Sequence, residues 1–211
     1  MRYGISDVGW GDCREEKGQE NFLKSLGLDS RKLVCCEQVH GSIVTNVLGW
    51  EKKIVSGADG LVTQVPGIVL GIFTADCVPV FLWDEEPRAV GLLHAGWRGV
   101  VGKIPTGGVE ALTKEFGLNP RKIKVWLGPH IRDCCFEVGE EVLDQFPKDA
   151  IKKTENKFTL SLEKAVVSQL LSIGILKENV QAASECTFHD QKFFSYRRDK
   201  TNKRMLSYIT I

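Results

Sequence analysis

One segment, TADCVPVFLWDEEPRAVGLLHAGWRG at 74–99, constrains the fold of this 211-residue chain more than any other. VPVFLWD reads as a buried strand and RAVGLLHAG as a second, bounded by DEEP and by Gly96, so the pair predicts a hairpin. Such a hairpin carries Cys77 and His94 to one shared end. A soft thiolate and a neutral imidazole are good ligands for zinc or copper. They are equally the parts of a nucleophile and its base. The residue types alone leave both readings open.

Further strands are expected at 31–38, 42–48, 60–64, 67–73, 78–83, 88–94 and 122–127, each rich in Val, Ile or Leu. Residues 17–26 predict a helix with Phe22, Leu23 and Leu26 on one face before Gly27. Residues 161–173 predict another, opened by Ser161, with Ala165, Val166, Leu170 and Ile173 at helical spacing. A third follows Trp97 and ends at Gly117. Pro105 must fall in its first turn or kink it, which leaves the start open, and Gly107 and Gly108 weaken it further. An order neither strictly alternating nor all β predicts an α+β fold, one domain over 1–211 with mixed sheets covered by helices.

The 28 Lys and Arg nearly balance the 27 Asp and Glu, with no long block of one sign. That argues against a nucleic-acid or membrane patch and for a small-molecule partner. MRYGISDVGW has no apolar signal-like core, and no later run approaches the ~20 apolar residues of a membrane span. A cytoplasmic location is therefore expected. Seven cysteines, with Cys35-Cys36 and Cys134-Cys135 adjacent, suit reduced thiols better than a disulfide framework. Core packing is the default for both adjacent pairs.

Six motifs occur in order along the chain: QVHG at 38–41, ADGLVT at 58–63, TADCVPV at 74–80, HAGWRG at 94–99, GPHIRDCCFEVG at 128–139 and FFSYRRD at 193–199. On these residues the chain resembles the laccase-domain family, once called multicopper polyphenol oxidoreductases. The resemblance implies αββα layering and a purine nucleoside phosphorylase that also deaminates adenosine. It implies a metal held by His40, Cys77 and His94, zinc by expectation with copper as the other option. Three protein ligands leave a fourth tetrahedral position open, as in catalytic zinc. With four histidines, and Met1 and Met205 as its two methionines, the chain has too few ligands for a typical laccase.

Arg98 in HAGWRG is expected at a strand-to-helix turn, where its planar fork suits a phosphate. FFSYRRD offers Arg197, Arg198 and Asp199, either as a second cationic wall or as a local ion pair at the surface, with one arginine expected to face inward. Asp76 and Asp59 are the carboxylates nearest the motifs. Asp76 is expected to orient a ligating imidazole, and no carboxylate stands out as a general acid or base. The H-x-E and P-C-x-x-C signature of zinc nucleobase deaminases is absent. His130 reads as a local variation or a pocket-wall contact rather than a ligand, and His189 as a solvated or capping residue. TNKR at 201–204 stands where the family has a TGR-like motif, so no substrate role is carried onto Arg204. A metal-free amidase with Cys77 as nucleophile and His94 as base is the rival reading, and a non-enzymatic metal-binding or redox protein a third.

Overall fold

The computed structural model describes residues 1–84, 86, 88–155 and 157–211. One sheet has the order β1 (Arg2–Ile5), β14 (Met205–Thr210), β6 (Val69–Thr74), β2 (Leu33–Cys36) and β4 (Ile54–Val55). A second has the order β13 (Val180–Ala182), β9 (Lys124–Leu127), β7 (Val78–Trp83), β8 (Val90–Ala95), β5 (Gly60–Thr63) and β3 (Val44–Asn46). Both mix parallel and antiparallel pairs. A small third sheet joins β10 (Glu137–Val138), β12 (Phe158–Leu160) and β11 (Ile151–Lys153).

The two large sheets pack face to face. Val34, Leu70, Ile72 and Ile209 of the first meet Leu61, Phe81 and Leu92 of the second in one core. On the outer face of the first sheet, Leu33, Cys35, Val69 and Leu206 pack with Phe22 and Leu23 of α1 (Glu16–Ser25). The outer face of the second sheet, with Val80, Leu82 and Leu93, is covered by α2 (Trp97–Val101), α3 (Ile104–Phe116) and α4 (Leu162–Ser172). This is the αββα arrangement. Because both faces of each large sheet are covered, β7 and β8 read as continuous apolar runs rather than as alternation.

The hairpin forms as expected, with Val78 opposite Ala95 and Pro79 opposite His94. Its connecting turn includes Glu85 and Pro87, which lie outside the described residues. α4 is N-capped by Ser161, whose Oγ accepts from the Lys164 amide at 3.2 Å. The helix expected from Trp97 to Gly117 is two helices. Lys103 stands between them at a φ of 64°, and Pro105 occupies the first turn of α3. Gly108, read as a weak point, lets α3 approach β8: a Cβ there would meet Leu93 at 2.5 Å. The run MLSYIT, not read as a strand, is β14 and lies inside the first sheet between β1 and β6. Short α5 (Tyr196–Asp199) falls in the FFSYRRD motif.

Candidate active site

Cys77 lies in the bend between β6 and β7, where the chain crosses from one sheet to the other. His94 shares the strand parity of Val90 and Leu92, so it points between the sheets at their edge. The QVHG loop closes the third side. Gln38 binds the main chain of β6 on both sides of its amide: Nε2 donates to Phe73 O and Oε1 accepts from Phe73 N, each at 2.7 Å. His40 follows at a φ of 60°, in the left-handed region. One donor atom from each of His40, Cys77 and His94 lies within 4.8 Å of the others.

Asp59 holds this cluster. Its carboxylate accepts from the amides of Val39 at 3.1 Å, His40 at 3.0 Å and Gly41 at 2.7 Å, and from His94 Nδ1 at 2.9 Å. Its carbonyl also accepts from the His94 amide at 2.8 Å. Burial alone would raise the Asp59 pKa, but the bonds from His94, Gly41 and His40 outweigh it and hold it below the usual 3.8. With Nδ1 committed to Asp59, Nε2 is the ring nitrogen left to face Cys77.

The orienting role expected of Asp76 therefore belongs to Asp59. Asp76 sits at a φ of 94°, which turns its carboxylate elsewhere. It accepts from Thr187 Oγ1 and from the Arg197 amide, each at 2.7 Å, while its carbonyl takes the Ile131 amide at 2.9 Å. Asp76 thus ties the Cys77 bend to the GPHIRD segment and to α5, a positioning role.

Burial would raise the Cys77 thiol, but the charge of His94 and hydrogen bonds with His40 and His94 bring it down to about 6. Burial would lower His94, but the Cys77 thiolate and Asp59 raise it to about 9. Without metal the two form a thiolate–imidazolium pair. The Cys77 contribution to stability is lost as pH falls through about 6, and the His94 contribution as pH rises through about 9. Both groups are charged between those limits. Zinc needs a thiolate and an unprotonated imidazole nitrogen. Loading metal-free protein at pH 7.5 is therefore expected to release about one proton from His94. Calorimetry in buffers of different ionisation heat measures the release, and thiolate ultraviolet absorption of the metal-free protein, expected to fade as pH falls through about 6, distinguishes the ion pair from a neutral thiol–imidazole pair that would release the same proton.

The donor set suits a borderline-soft metal such as zinc or copper(I). Space is kept for one at Gly96, where a Cβ would stand 3.1 Å from Cys77 Sγ and 3.4 Å from His40 Cδ2. The cluster opens into a cavity of about 700 Å³ that includes Asp76 and the guanidinium-bearing Arg14, Arg98, Arg197 and Arg204. Arg98 is exposed and stacks over Trp97 at 4.4 Å, with no hydrogen bond or ion pair on its guanidinium among the described residues. Arg197 lies over Phe136 and donates to Glu137 O at 2.8 Å. Arg198 instead turns to Asp199 and to the carbonyls of Thr187 and Phe193.

Arg14 and Arg204 were not assigned to the site from sequence. Arg204 stands in the altered TNKR stretch, and Arg14 lies outside the six motifs. His130 is fully buried away from the cavity, with Nδ1 donating to Gly128 O at 2.7 Å and Nε2 3.7 Å from Glu163. It is not a pocket-wall contact. Cys134 is exposed and Cys135 half-buried, so neither follows the core packing expected of it.

A family model described as multi-copper polyphenol oxidoreductase laccase matches residues 11–211. The chain belongs to this family. The YlmD protein of Geobacillus stearothermophilus, named a purine nucleoside phosphorylase, is 34% identical, with 94% of this chain and 80% of the relative covered. Another relative, the adenosine deaminase RL5 of an unknown prokaryotic organism, is 34% identical over 82% of this chain and 72% of its own. The crystal structure of the Geobacillus YlmD protein superposes with a TM-score of 0.90 at 30% identity, covering 99% of this chain and 90% of that one. Despite the family's name, the described residues bring together two groups of three potential metal ligands, His40, Cys77, His94 and Cys134, Cys135, Cys186. No helix among them is long and apolar enough to cross a membrane.

Proposed function

We propose that this protein is a metal-dependent purine nucleoside phosphorylase that converts adenosine and inosine, with phosphate, to free base and ribose 1-phosphate, and that also deaminates adenosine. The observation that carries the reading is the His40–Cys77–His94 cluster opening into a cavity lined by Arg98, Arg197 and Arg204. A cavity of about 700 Å³ falls in the range of small-molecule sites. The names of the relatives support the same substrates. Zinc is the expected metal, copper the alternative, and the cytoplasm the expected location.

A metal held by His40, Cys77 and His94 would supply Lewis acidity. The remaining chemistry belongs to the chain. Phosphorolysis requires phosphate to be held beside the anomeric carbon while positive charge develops on the sugar. Arg98 has its planar fork free for that anion, and Arg197 and Arg204 extend the positive wall. Asp59 keeps the His94 ring and the His40 loop in place throughout.

Metal-defined protein incubated with adenosine and inosine, with and without phosphate, tests this by chromatography of the products. Ribose 1-phosphate is expected only with phosphate, and inosine from adenosine in either buffer. Free ribose formed equally fast without phosphate means hydrolysis instead. Arg98→Lys keeps the charge but loses the fork, so kcat/KM for phosphorolysis is expected to fall about 10–100-fold. Metal content and thermal stability should hold, and deamination should suffer less. An unchanged phosphate dependence moves the role to Arg197 or Arg204.

The line Asp59–His94–Cys77, with its lowered thiol and raised imidazole, favours a second reading, a cysteine amidase acting on a small amide such as a cell-wall precursor. Chelation separates the two. It abolishes nucleoside turnover in the first reading and leaves amide turnover intact in the second.

A further inference from the structure

Away from the His40 cluster, the chain gathers Cys134, Cys135 and Cys186, and their sulfurs all lie within 4.8 Å of one another. Cys134 Sγ is 3.8 Å from Cys186 Sγ and 3.3 Å from Cys135 Sγ. Zinc holding two thiolates tetrahedrally at ~2.3 Å sets their sulfurs about 3.8 Å apart. The observed separations need only small adjustment. A fourth donor is adjacent, His189, whose Nε2 lies 2.9 Å from Cys135 Sγ. His189 is exposed and free to turn toward the other sulfurs, and Cys186 and His189 have the short C-x-x-H spacing common in metal-binding turns.

The backbone is arranged for a thiolate at Cys186. The Arg132 amide donates to its sulfur at 3.4 Å. Such N–H···S bonds stabilise a charged sulfur as they would an oxyanion. Partial exposure of Cys134 and Cys135 leaves the cluster open to an incoming ion.

We propose that Cys134, Cys135, Cys186 and His189 form a second metal site, selective for a borderline-soft divalent cation of the zinc type, that fastens the turn at 132–135 to the turn at 186–190. Its role is positional. The first turn runs into Phe136 and Glu137 of the cavity wall, and the second carries Thr187, which donates to Asp76 beside Cys77. A closed four-ligand set is the pattern of structural zinc, unlike the three-ligand centre at His40. The inference does not depend on the nucleoside substrate.

The test is titration of reduced, metal-free, full-length protein with Zn²⁺ against a chromophoric chelator, repeated with Co²⁺ to read thiolate-to-cobalt absorption. Wild type is expected to bind two equivalents. Cys77→Ser should keep one, with strong thiolate absorption from three sulfurs. Cys134→Ser, at an exposed position, should lose high-affinity binding of that equivalent, and Cys135→Ser provides a second variant should the first fold poorly. His189→Ala is expected to weaken binding at least about tenfold. A single equivalent in wild type that vanishes in Cys77→Ser, with circular dichroism showing that variant folded, overturns the proposal. So does a second equivalent unaffected by Cys134→Ser and Cys135→Ser. Unchanged affinity in His189→Ala overturns the four-ligand assignment.

Discussion

Cys77→Ala is expected to lose one equivalent of metal per chain and to reduce nucleoside turnover by roughly 10²–10³-fold or more, the scale associated with removing an electrostatic stabiliser at a reacting centre. Cys77 is the anionic ligand of its cluster. Its thiol lies at about 6, so at neutral pH it meets a cation already ionised, whereas His40 and His94 contribute neutral nitrogens on binding. Elemental analysis of protein purified with one defined metal supplies the first readout and product chromatography the second. Full occupancy of the His40 centre in Cys77→Ala would falsify the ligand assignment. Because Cys77 also serves the amidase reading, the variant is paired with chelated wild type, in which Cys77 and His94 persist without the ion.

Asp59→Asn is expected to have the next largest effect, and it acts without touching substrate. The carboxylate receives four donors, three from the main chain of the QVHG loop and one from His94. An amide has one acceptor oxygen, and its NH₂ would confront donors. Hydrogen bonds to a buried charged group contribute about 1.5–3 kcal/mol each, so a loss of about 3 kcal/mol in unfolding free energy is expected. Zinc affinity should fall about 10–100-fold as the His94 ring loses its orientation. Because the Asp59 pKa lies below 3.8, its contribution is present above that value and is lost as pH falls through the folded-state pKa. Denaturation curves from neutral to acid pH and a metal-competition titration measure both effects. Stability within ~0.5 kcal/mol of wild type with unchanged metal affinity would refute the orienting role of Asp59.

The two replacements differ in how visible their targets were in the sequence. Cys77 and His94 flank a hairpin whose strands are legible as apolar runs, and antiparallel pairing brings them together through local chain reversal alone. His40 was reached only through the QVHG motif, because nothing local says that a loop after β2 will fold against the end of β8. Choosing between Asp59 and Asp76 was beyond sequence for a related reason. Both adjoin the motifs, and what separates them is a backbone angle at Asp76 and the position of three loop amides around Asp59.

Strand and helix types along 31–127 and 161–173 follow from side-chain volume, branching and spacing, which act over a few residues. Those the sequence determined by itself, together with the chemistry available at Cys77, His94 and Arg98. Tertiary structure decided which strands became neighbours. β14, from the far end of the chain, sits between β1 and β6, a choice made by burial of both its faces rather than by local preference. The same long-range packing delivers Arg14 and Arg204 to the cavity, and it lifts Cys134 and Cys135 out of the core to meet Cys186 and His189. The cause is physical. Periodicity fixes the face a residue presents, but the partner it meets depends on loop closure and on the burial that only the assembled sheets provide.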